Sequence, residues 1–302
     1  MLHSRESFAS AERRRRPGKS FPRNGAAPFA LAAFALLCIY LSFAHARPTV
    51  GRRMKSGSAS SPPSVVSFFA LDETHVWISA VKPSEPFLVR SRDSGTSWER
   101  IPVPDTIYRL FFLNPDQGWA IYGSARAVTG LDQPNIELGL AGTRDGGRSW
   151  THLSTLCVST RENGILLASI GFADPLHGLI VGHQNEGRGA AMYETHDGGL
   201  SIKENREVTK HFGELFQVRS DGTGGLLVVG NDAVLRKKSA RSHWETLLSP
   251  QSLSEEFGGV VLSAGSVPSA GHILLVGGGS AGHVLSSADS GKPGKFLKQA
   301  RR

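Results

Sequence analysis

The body of the chain, from about residue 65 to residue 299, alternates short apolar runs with polar turns, a pattern typical of β-strands. One pattern recurs five times: an apolar run, a turn, and a second run that is usually rich in tryptophan or glycine. The five copies are SFFALDETHVWISA (67–80), LFFLNPDQGWAIYG (110–123), SIGFADPLHGLIVG (169–182), FQVRSDGTGGLLVVG (216–230) and VVLSAGSVPSAGHILLVGG (260–278). Two further short runs follow each copy, and we find no helical pattern of ten residues or more in the body. The sequence therefore predicts an all-β body of five units with four short strands each.

A second motif, built on an aspartate and a glycine, keeps the same spacing and falls between the third and fourth strands of each unit. The aspartates of the first three copies are 52 residues apart, and a shortened copy follows 92 residues after the third. The motif residues are Ser91, Asp93, Gly95, Trp98, Thr143, Asp145, Gly147, Trp150, Thr195, Asp197, Gly199, Ser287, Asp289 and Gly291. Because 92 residues make about two periods, a degenerate copy is expected in the gap, and residues 235–245 fit it with the tryptophan kept.

The chemistry of this motif favours a structural role over a catalytic one. An aspartate in a turn accepts hydrogen bonds from backbone N–H groups further along the chain. The glycine supplies a positive φ that other residues resist, and the tryptophan at the start of the next strand covers the hairpin with a large apolar face. These three needs explain why the residues recur together.

The motif S/T-x-D-x-G-x-S/T-W resembles the Asp-box, also called the bacterial neuraminidase repeat. Coupled to the first pattern, it most resembles the photosystem II assembly factor group of propellers, with 110–123 and 143–150 as the best match. The resemblance covers nearly all of 65–299 and implies a β-propeller with a non-enzymatic assembly or scaffolding role outside the cytoplasm. Sialidases and sortilin-type receptors also carry the box. The photosystem II assembly factor group typically has seven blades, whereas this body has room for about five. A sixth blade that the pattern does not reveal remains an alternative.

Charge is concentrated at the two ends of the chain, not in the body. The whole chain has a formal net charge of +8, of which residues 1–25 contribute +5, residues 47–64 +4 and residues 292–302 +5, so that 65–291 carries −6. A mildly acidic body argues against nucleic-acid binding, which depends on neutralising phosphates. With 2 cysteines, the chain is neither a disulfide scaffold nor a four-cysteine zinc protein.

The N-terminal part of the sequence predicts export. Residues 1–25 form a basic n-region, and 26–46 are uncharged and end in Ala44-His45-Ala46, a signal-peptidase pattern. The segment is either a cleaved signal peptide or a retained membrane anchor, and both place the body outside the cytoplasm, in the periplasm or secreted. Residues 47–64 then form a flexible linker, 65–299 the propeller and 300–302 a basic tail.

No cofactor, metal site or catalytic residue is expected from the sequence. A sialidase would need an arginine cluster and an activated tyrosine, but the body has only Tyr108, Tyr122 and Tyr193. Tyr108-Arg109 lies in an apolar strand pattern, which favours packing. The histidines lack metal-binding spacings such as H-x-H or H-E-x-x-H.

Two enlarged loops follow the second strand of their units, at 124–135 and 183–189, on the face opposite the Asp-boxes. Their polar residues are Arg126, Asp132, Asn135, Asn185, Glu186 and Arg188. Loops on a rigid scaffold favour binding, so this face is the predicted recognition surface, with tolerated loop variation as the alternative. The predicted function is an interaction or assembly scaffold for a protein partner. The alternative is a secreted carbohydrate-binding or sialidase-like glycoside hydrolase propeller that takes a glycan.

Overall fold

The computed structural model describes residues 62–82, 85–126, 135–159, 165–184, 189–210, 212–221, 224–269, 271–278, 282–289, 291 and 296–300. The chain divides into a unit of residues 1–52 and a unit of residues 53–302, and all description below concerns the second. The predicted n-region, export segment and most of the linker lie outside the described residues. In the described ranges, none of the helices has the length and apolar character needed to span a membrane.

Five antiparallel sheets of four strands each make up the body, and each sheet is built from consecutive strands. Sheet 1 contains β1 (Ser64–Ala70), β2 (Val76–Lys82), β3 (Glu85–Ser91) and β4 (Glu99–Pro102). Sheet 2 contains β5 (Thr106–Phe112), β6 (Gly118–Arg126), β7 (Asn135–Thr143) and β8 (Thr151–Ser159). Sheet 3 contains β9 (Ile165–Phe172), β10 (Gly178–Gln184), β11 (Ala190–Thr195) and β12 (Lys203–Glu204). Sheet 4 contains β13 (Leu215–Ser220), β14 (Leu226–Gly230), β15 (Val234–Lys237) and β16 (Trp244–Leu248). Sheet 5 contains β17 (Val261–Ser269), β18 (His272–Gly278), β19 (His283–Ser287) and β20 (Leu297–Ala300). The predicted five units of four strands are confirmed.

Two short helices lie in the connections between sheets. Helix α1 (Arg206–Thr209) joins sheet 3 to sheet 4, and its N-cap Asn205 accepts a hydrogen bond from the Val208 amide. Helix α2 (Pro250–Glu255) joins sheet 4 to sheet 5. It begins at a capping box of Ser249 and Ser252, with proline at the first helical position, where its missing N–H costs nothing. At four and six residues, both agree with the absence of a longer helical pattern in the sequence.

Four apolar cores join the five sheets in chain order. An inner sheet can contribute to two cores because successive residues of a strand point to opposite faces. Strand β6 shows this well: Trp119 and Ile121 pack toward sheet 3, whereas Ala120 packs toward sheet 1. In β18, Ile273 and Leu275 pack toward sheet 4, whereas Leu274 and Val276, on the other face, are 38% and 42% exposed. In the part of the chain that the structure describes, no apolar core joins sheet 5 to sheet 1.

A β-bulge interrupts the first strand of every sheet at the same place. The residues skipped in the strand pairing are Val66, Tyr108, Ala168, Phe216 and Ser263. A bulge bends the strand and increases its twist, so the five copies bend the five sheets alike. This repeated feature was not predicted from the sequence.

Candidate functional site

The Asp-box turns have one geometry in the first three copies, including the third, in which Ile202 replaces the tryptophan. In the turn of sheet 2, Asp145 Oδ1 accepts hydrogen bonds from the Ser149 amide at 2.9 Å and from Thr143 Oγ1 at 2.8 Å. Asp145 Oδ2 accepts a third from Ser149 Oγ at 2.6 Å. The Gly147 amide donates to Thr143 Oγ1 at 2.9 Å. The turns at Asp93 and Asp197 repeat every one of these contacts.

The glycine and the tryptophan of the box complete the turn. The four box glycines have positive φ: 82° at Gly95, 91° at Gly147, 103° at Gly199 and 74° at Gly291. The indole N–H groups of Trp98 and Trp150 donate to the carbonyls of Gly95 and Gly147, each at 3.0 Å. These contacts hold the box glycine and tryptophan in the turn.

The box carboxylates are held in their charged form. Hydrogen bonds from the Ser201 hydroxyl and amide lower the pKa of Asp197 to about 2. Burial alone would raise the pKa of Asp145, but hydrogen bonds from the Ser149 hydroxyl and amide lower it to about 2. A general acid needs a pKa near the working pH, so these aspartates are poorly suited to proton donation.

Tryptophans in the second strands of sheets 1 and 2 bond to the Asp-box of the following sheet. Trp77 of sheet 1 donates its indole N–H to the Gly146 carbonyl of sheet 2 at 3.0 Å, and its ring stacks on Phe112 at 3.8 Å between centroids. Trp119 of sheet 2 repeats this, donating to Gly198 at 2.9 Å and stacking on Phe172 at 3.7 Å. The Asp-box therefore also serves as the acceptor that locks neighbouring sheets together.

Charged side chains strengthen the contact between sheets 1 and 2. Arg90, whose side chain is buried, donates to the carbonyls of Asp145 and Gly146 at 3.0 and 2.8 Å. Its guanidinium also pairs with Glu99, which in turn accepts bonds from Arg148 of the sheet 2 turn. A buried cation that is paired and bonded in this way stabilises one arrangement of the two sheets over others.

The degenerate Asp-box of sheet 4 uses its tryptophan differently. Trp244 donates its indole N–H to Glu194 of sheet 3 at 2.8 Å, in place of a turn glycine. Glu194 also accepts bonds from Asn205 and Lys237. Burial alone would raise the pKa of Glu194, but these three donors lower it. Where the box aspartate and glycine are lost, the tryptophan thus joins sheet 4 to Glu194 of sheet 3.

A groove opens on the Asp-box side of the molecule between sheets 2 and 3. Its lining includes Gln117, Arg144, Leu153, Pro175, Leu176 and Leu200, and we call it the rim groove. Leu176 and Leu200 are 53% and 65% exposed, although they lie on turns that are tied together by the Gly198 amide bonding to the Leu176 carbonyl at 2.8 Å. Large apolar side chains exposed beside a groove mark a surface that can dock a partner.

The predicted recognition loops are largely outside the described residues. Strands β6 and β7 extend further than expected, so Arg126 and Asn135 form the last pair of the strand ladder and the loop shortens to 127–134. Asp132, Asn185, Glu186 and Arg188 lie outside the described residues. The rim groove, by contrast, was not predicted: the turn motifs around Leu176 and Leu200 were visible, but the groove that these turns of sheet 3 form with sheet 2 was not.

The candidates for sialidase-like chemistry occupy packing positions. Burial raises the pKa of Tyr108, which disfavours the phenolate that a nucleophile would need. Arg109 donates to the carbonyls of Ala168 and Tyr108 beside the bulges of sheets 3 and 2. His75 and His177 each bond to the aspartate three residues earlier, and in the described ranges no group of histidine, cysteine and acidic residues could hold a metal ion.

The carboxyl group of Asp232 differs from the Asp-box carboxyl groups because its pKa is raised. Burial, together with the nearby charge of Glu214, raises the pKa of Asp232, although the Gly213 amide bonds to it and opposes the shift. Among the described carboxyl groups whose pKa departs clearly from the ordinary value, Asp232 is the one with a raised pKa. Asp232 lies in the β14–β15 turn, on the side opposite the Asp-boxes.

Comparison with known proteins shows the fold but no closer relationship. No protein-family model matches the sequence, and no curated protein is similar to it. The chain is similar to the Niastella koreensis GH74 enzyme with a TM-score of 0.54 and 14% identity, covering 78% of this chain and 38% of that one. It thus spans under two fifths of that enzyme's length.

Two other solved structures are more distantly similar. YCF48 bound to D1 peptide gives a TM-score of 0.39 at 15% identity, covering 80% of this chain and 84% of that one. A Hadza microbial sialidase gives 0.43 at 13%, covering 76% and 50%. The likeness to the GH74 enzyme and the five four-stranded sheets confirm the predicted Asp-box β-propeller fold. The fold hosts both enzymes and binding proteins, so function must be argued from the site.

Proposed function

We propose that this chain is an exported, non-enzymatic β-propeller that binds a protein partner through the rim groove. The observation that carries this proposal is the pair of exposed leucines, Leu176 and Leu200, held on rigid turns at the edge of a groove between two sheets. Rigid presentation lowers the ordering cost of binding, and apolar anchors supply most of the affinity at protein interfaces.

One arginine of the groove lining favours a partner segment that carries a carboxylate. Arg144 lines the groove, and Arg92 and Arg148 are exposed on the Asp-box turns of sheets 1 and 2. Arg92 and Arg148 pair with Asp116 and Glu99, and Asp197 also lines the groove, so Arg144 is the cation of the lining that can meet a partner carboxylate. The partner we infer is a peptide segment that places a large apolar residue next to one or more carboxylates.

Selection from a displayed random-peptide library against the full chain tests the proposal. We expect enriched peptides to pair an acidic residue with a leucine-sized one. Binding should fall about tenfold or more in the double variant Leu176→Ser/Leu200→Ser, because truncating buried anchors typically costs 1–3 kcal/mol each. Arg144→Glu should weaken binding of acidic peptides selectively.

A matched control comes from Leu166, which is 52% exposed on β9 at the opposite end of sheet 3. Leu166→Ser removes the same surface area away from the groove and should leave binding unchanged. Arg126→Glu/Arg188→Glu tests the loops of the opposite face. Binding that survives loss of the two groove leucines, or that fails with the loop variant alone, would overturn the rim as the docking surface.

Glycoside hydrolysis is a second candidate function, and Asp232 is the observation that favours it. A retaining or inverting glycosidase uses one carboxyl group of raised pKa as the acid and a second carboxylate nearby. Asp232 is a described carboxyl group of raised pKa, and the charge of Glu214 contributes to that rise. Fluorogenic sialosides and a glycan array separate the two functions: the scaffold predicts no turnover, whereas a hydrolase would show turnover that Asp232→Asn abolishes.

A further inference from the structure

A cavity between sheets 1 and 2 shares no lining residue with the rim groove and includes one Asp-box tryptophan, Trp150. It has a volume of ≈ 210 Å³, and its lining includes Val103, Asp105, Ile107, Tyr122, Trp150 and His152. An engineered cavity of about 150 Å³ already holds benzene, so this space is large enough for one compact organic group. From its lining, we propose that the cavity binds a small organic cation, such as a quaternary ammonium or a methylated amine.

The floor of the cavity is apolar and its walls are aromatic. Val103 and Ile107 are buried, whereas Tyr122 and Trp150 are half-buried, and all four line the space. The polar edge groups of both rings are already engaged. The Trp150 indole N–H donates to the Gly147 carbonyl, and the Tyr122 hydroxyl lies 2.7 Å from His152 Nδ1. Beyond these polar groups, the two residues can offer a ligand their aromatic rings, and aromatic rings attract cations.

A single carboxylate completes the cavity. Asp105 is half-buried in the connection between β4 and β5 and is the acidic residue in the lining. A carboxylate beside two aromatic faces and an apolar floor suits a cation whose charge is spread over methyl groups. The methyl groups can rest on Val103 and Ile107 without leaving a polar group unpaired.

A sugar fits this lining less well than a cation does. A monosaccharide carries several hydroxyl groups, and each one buried without a hydrogen bond costs binding free energy. The polar side chains of the lining are Asp105, Tyr122 and His152, and the last two already bond to each other. The lining thus has too few open partners for a hydroxyl-rich ring.

Calorimetric titration of the full chain with choline tests this inference, with two comparison ligands. The first is the alcohol in which carbon replaces the ammonium nitrogen of choline, which keeps the shape and removes the charge. The second is galactose. We expect choline to bind at least about tenfold more tightly than the uncharged alcohol, and galactose to give no heat.

Matched variants separate a binding role from a structural one. Asp105→Asn should weaken choline binding about tenfold, whereas Asp116→Asn, at an exposed carboxylate in another turn, should not. Trp150→Leu and Trp98→Leu remove the same indole bond to a box glycine, but only Trp150 lines the cavity, so only the first should weaken binding. No choline binding, equal binding of the uncharged alcohol, or equal loss in both tryptophan variants would overturn the proposal.

Discussion

At the scale of single residues, the Asp-box aspartates act as structural anions. Asp93, Asp145 and Asp197 each use both carboxylate oxygens to accept bonds from a serine hydroxyl, a backbone amide and a hydroxyl at the start of the turn. Charge-assisted hydrogen bonds of this kind are roughly twice as strong as neutral ones. The sequence predicted this role well, because the partners lie within four residues of the aspartate.

Asp145→Ala should destabilise the fold by about 1–3 kcal/mol, because the Ser149 amide and the Thr143 hydroxyl lose their acceptor. Urea unfolding followed by tryptophan fluorescence measures the change. Asp116→Ala serves as the control, since its side chain is 69% exposed and should cost less than about 0.5 kcal/mol. Equal losses in the two variants would contradict a structural role for the box carboxylate.

The same carboxylates predict how stability depends on pH. Their pKa in the folded state is about 2 for Asp145 and Asp197, below the ordinary value of 3.8. Their contribution is therefore fully present above about pH 4 and is lost as the pH falls toward about 2. Urea midpoints measured across this range should drop more steeply for the natural chain than for Asp145→Asn/Asp197→Asn. A parallel drop in both would show that other groups control the acid unfolding.

At the scale of strands, the repeated bulge explains why the second strand of three sheets has a glycine at the end of its apolar run. A Cβ at Gly182, Gly230 or Gly277 would collide with a carbonyl oxygen of the bulged first strand, at Leu166, Glu214 or Val261. The glycine was visible in the sequence, but the bulge was not, because a bulge is a property of the pairing between two strands.

Two adjacent glycines of β18 provide a test of this close approach. Gly277→Ala should destabilise the fold by about 1–3 kcal/mol, because its Cβ would meet the Val261 carbonyl and the Val260 side chain. Gly278→Ala meets nothing within 4 Å and should be neutral or slightly stabilising. Thermal unfolding of the two variants compares them directly, and equal midpoints would contradict the close packing of β17 on β18.

At the scale of the whole molecule, the sequence could predict units but not how they meet. The Asp-box spacing located all five sheets, including the degenerate copy that ends in Trp244. The contacts of Arg90 with Gly146 and of Trp244 with Glu194 join residues 56 and 50 positions apart in different sheets, and no local pattern encodes them. The rim groove and the cavity at Trp150 likewise arise where two sheets face each other, so they became visible only in the structure.

The central claim is that the Asp-box side of the propeller holds the docking surface. Hydrogen–deuterium exchange of the full chain, with and without a peptide selected by display, tests it most directly. We predict that the peptide slows exchange in the rim segments 117–119, 143–149, 175–178 and 197–201. Exchange in the segments 127–134 and 185–188 should stay unchanged. Protection of the opposite loops, with unchanged exchange along the rim, would contradict the account.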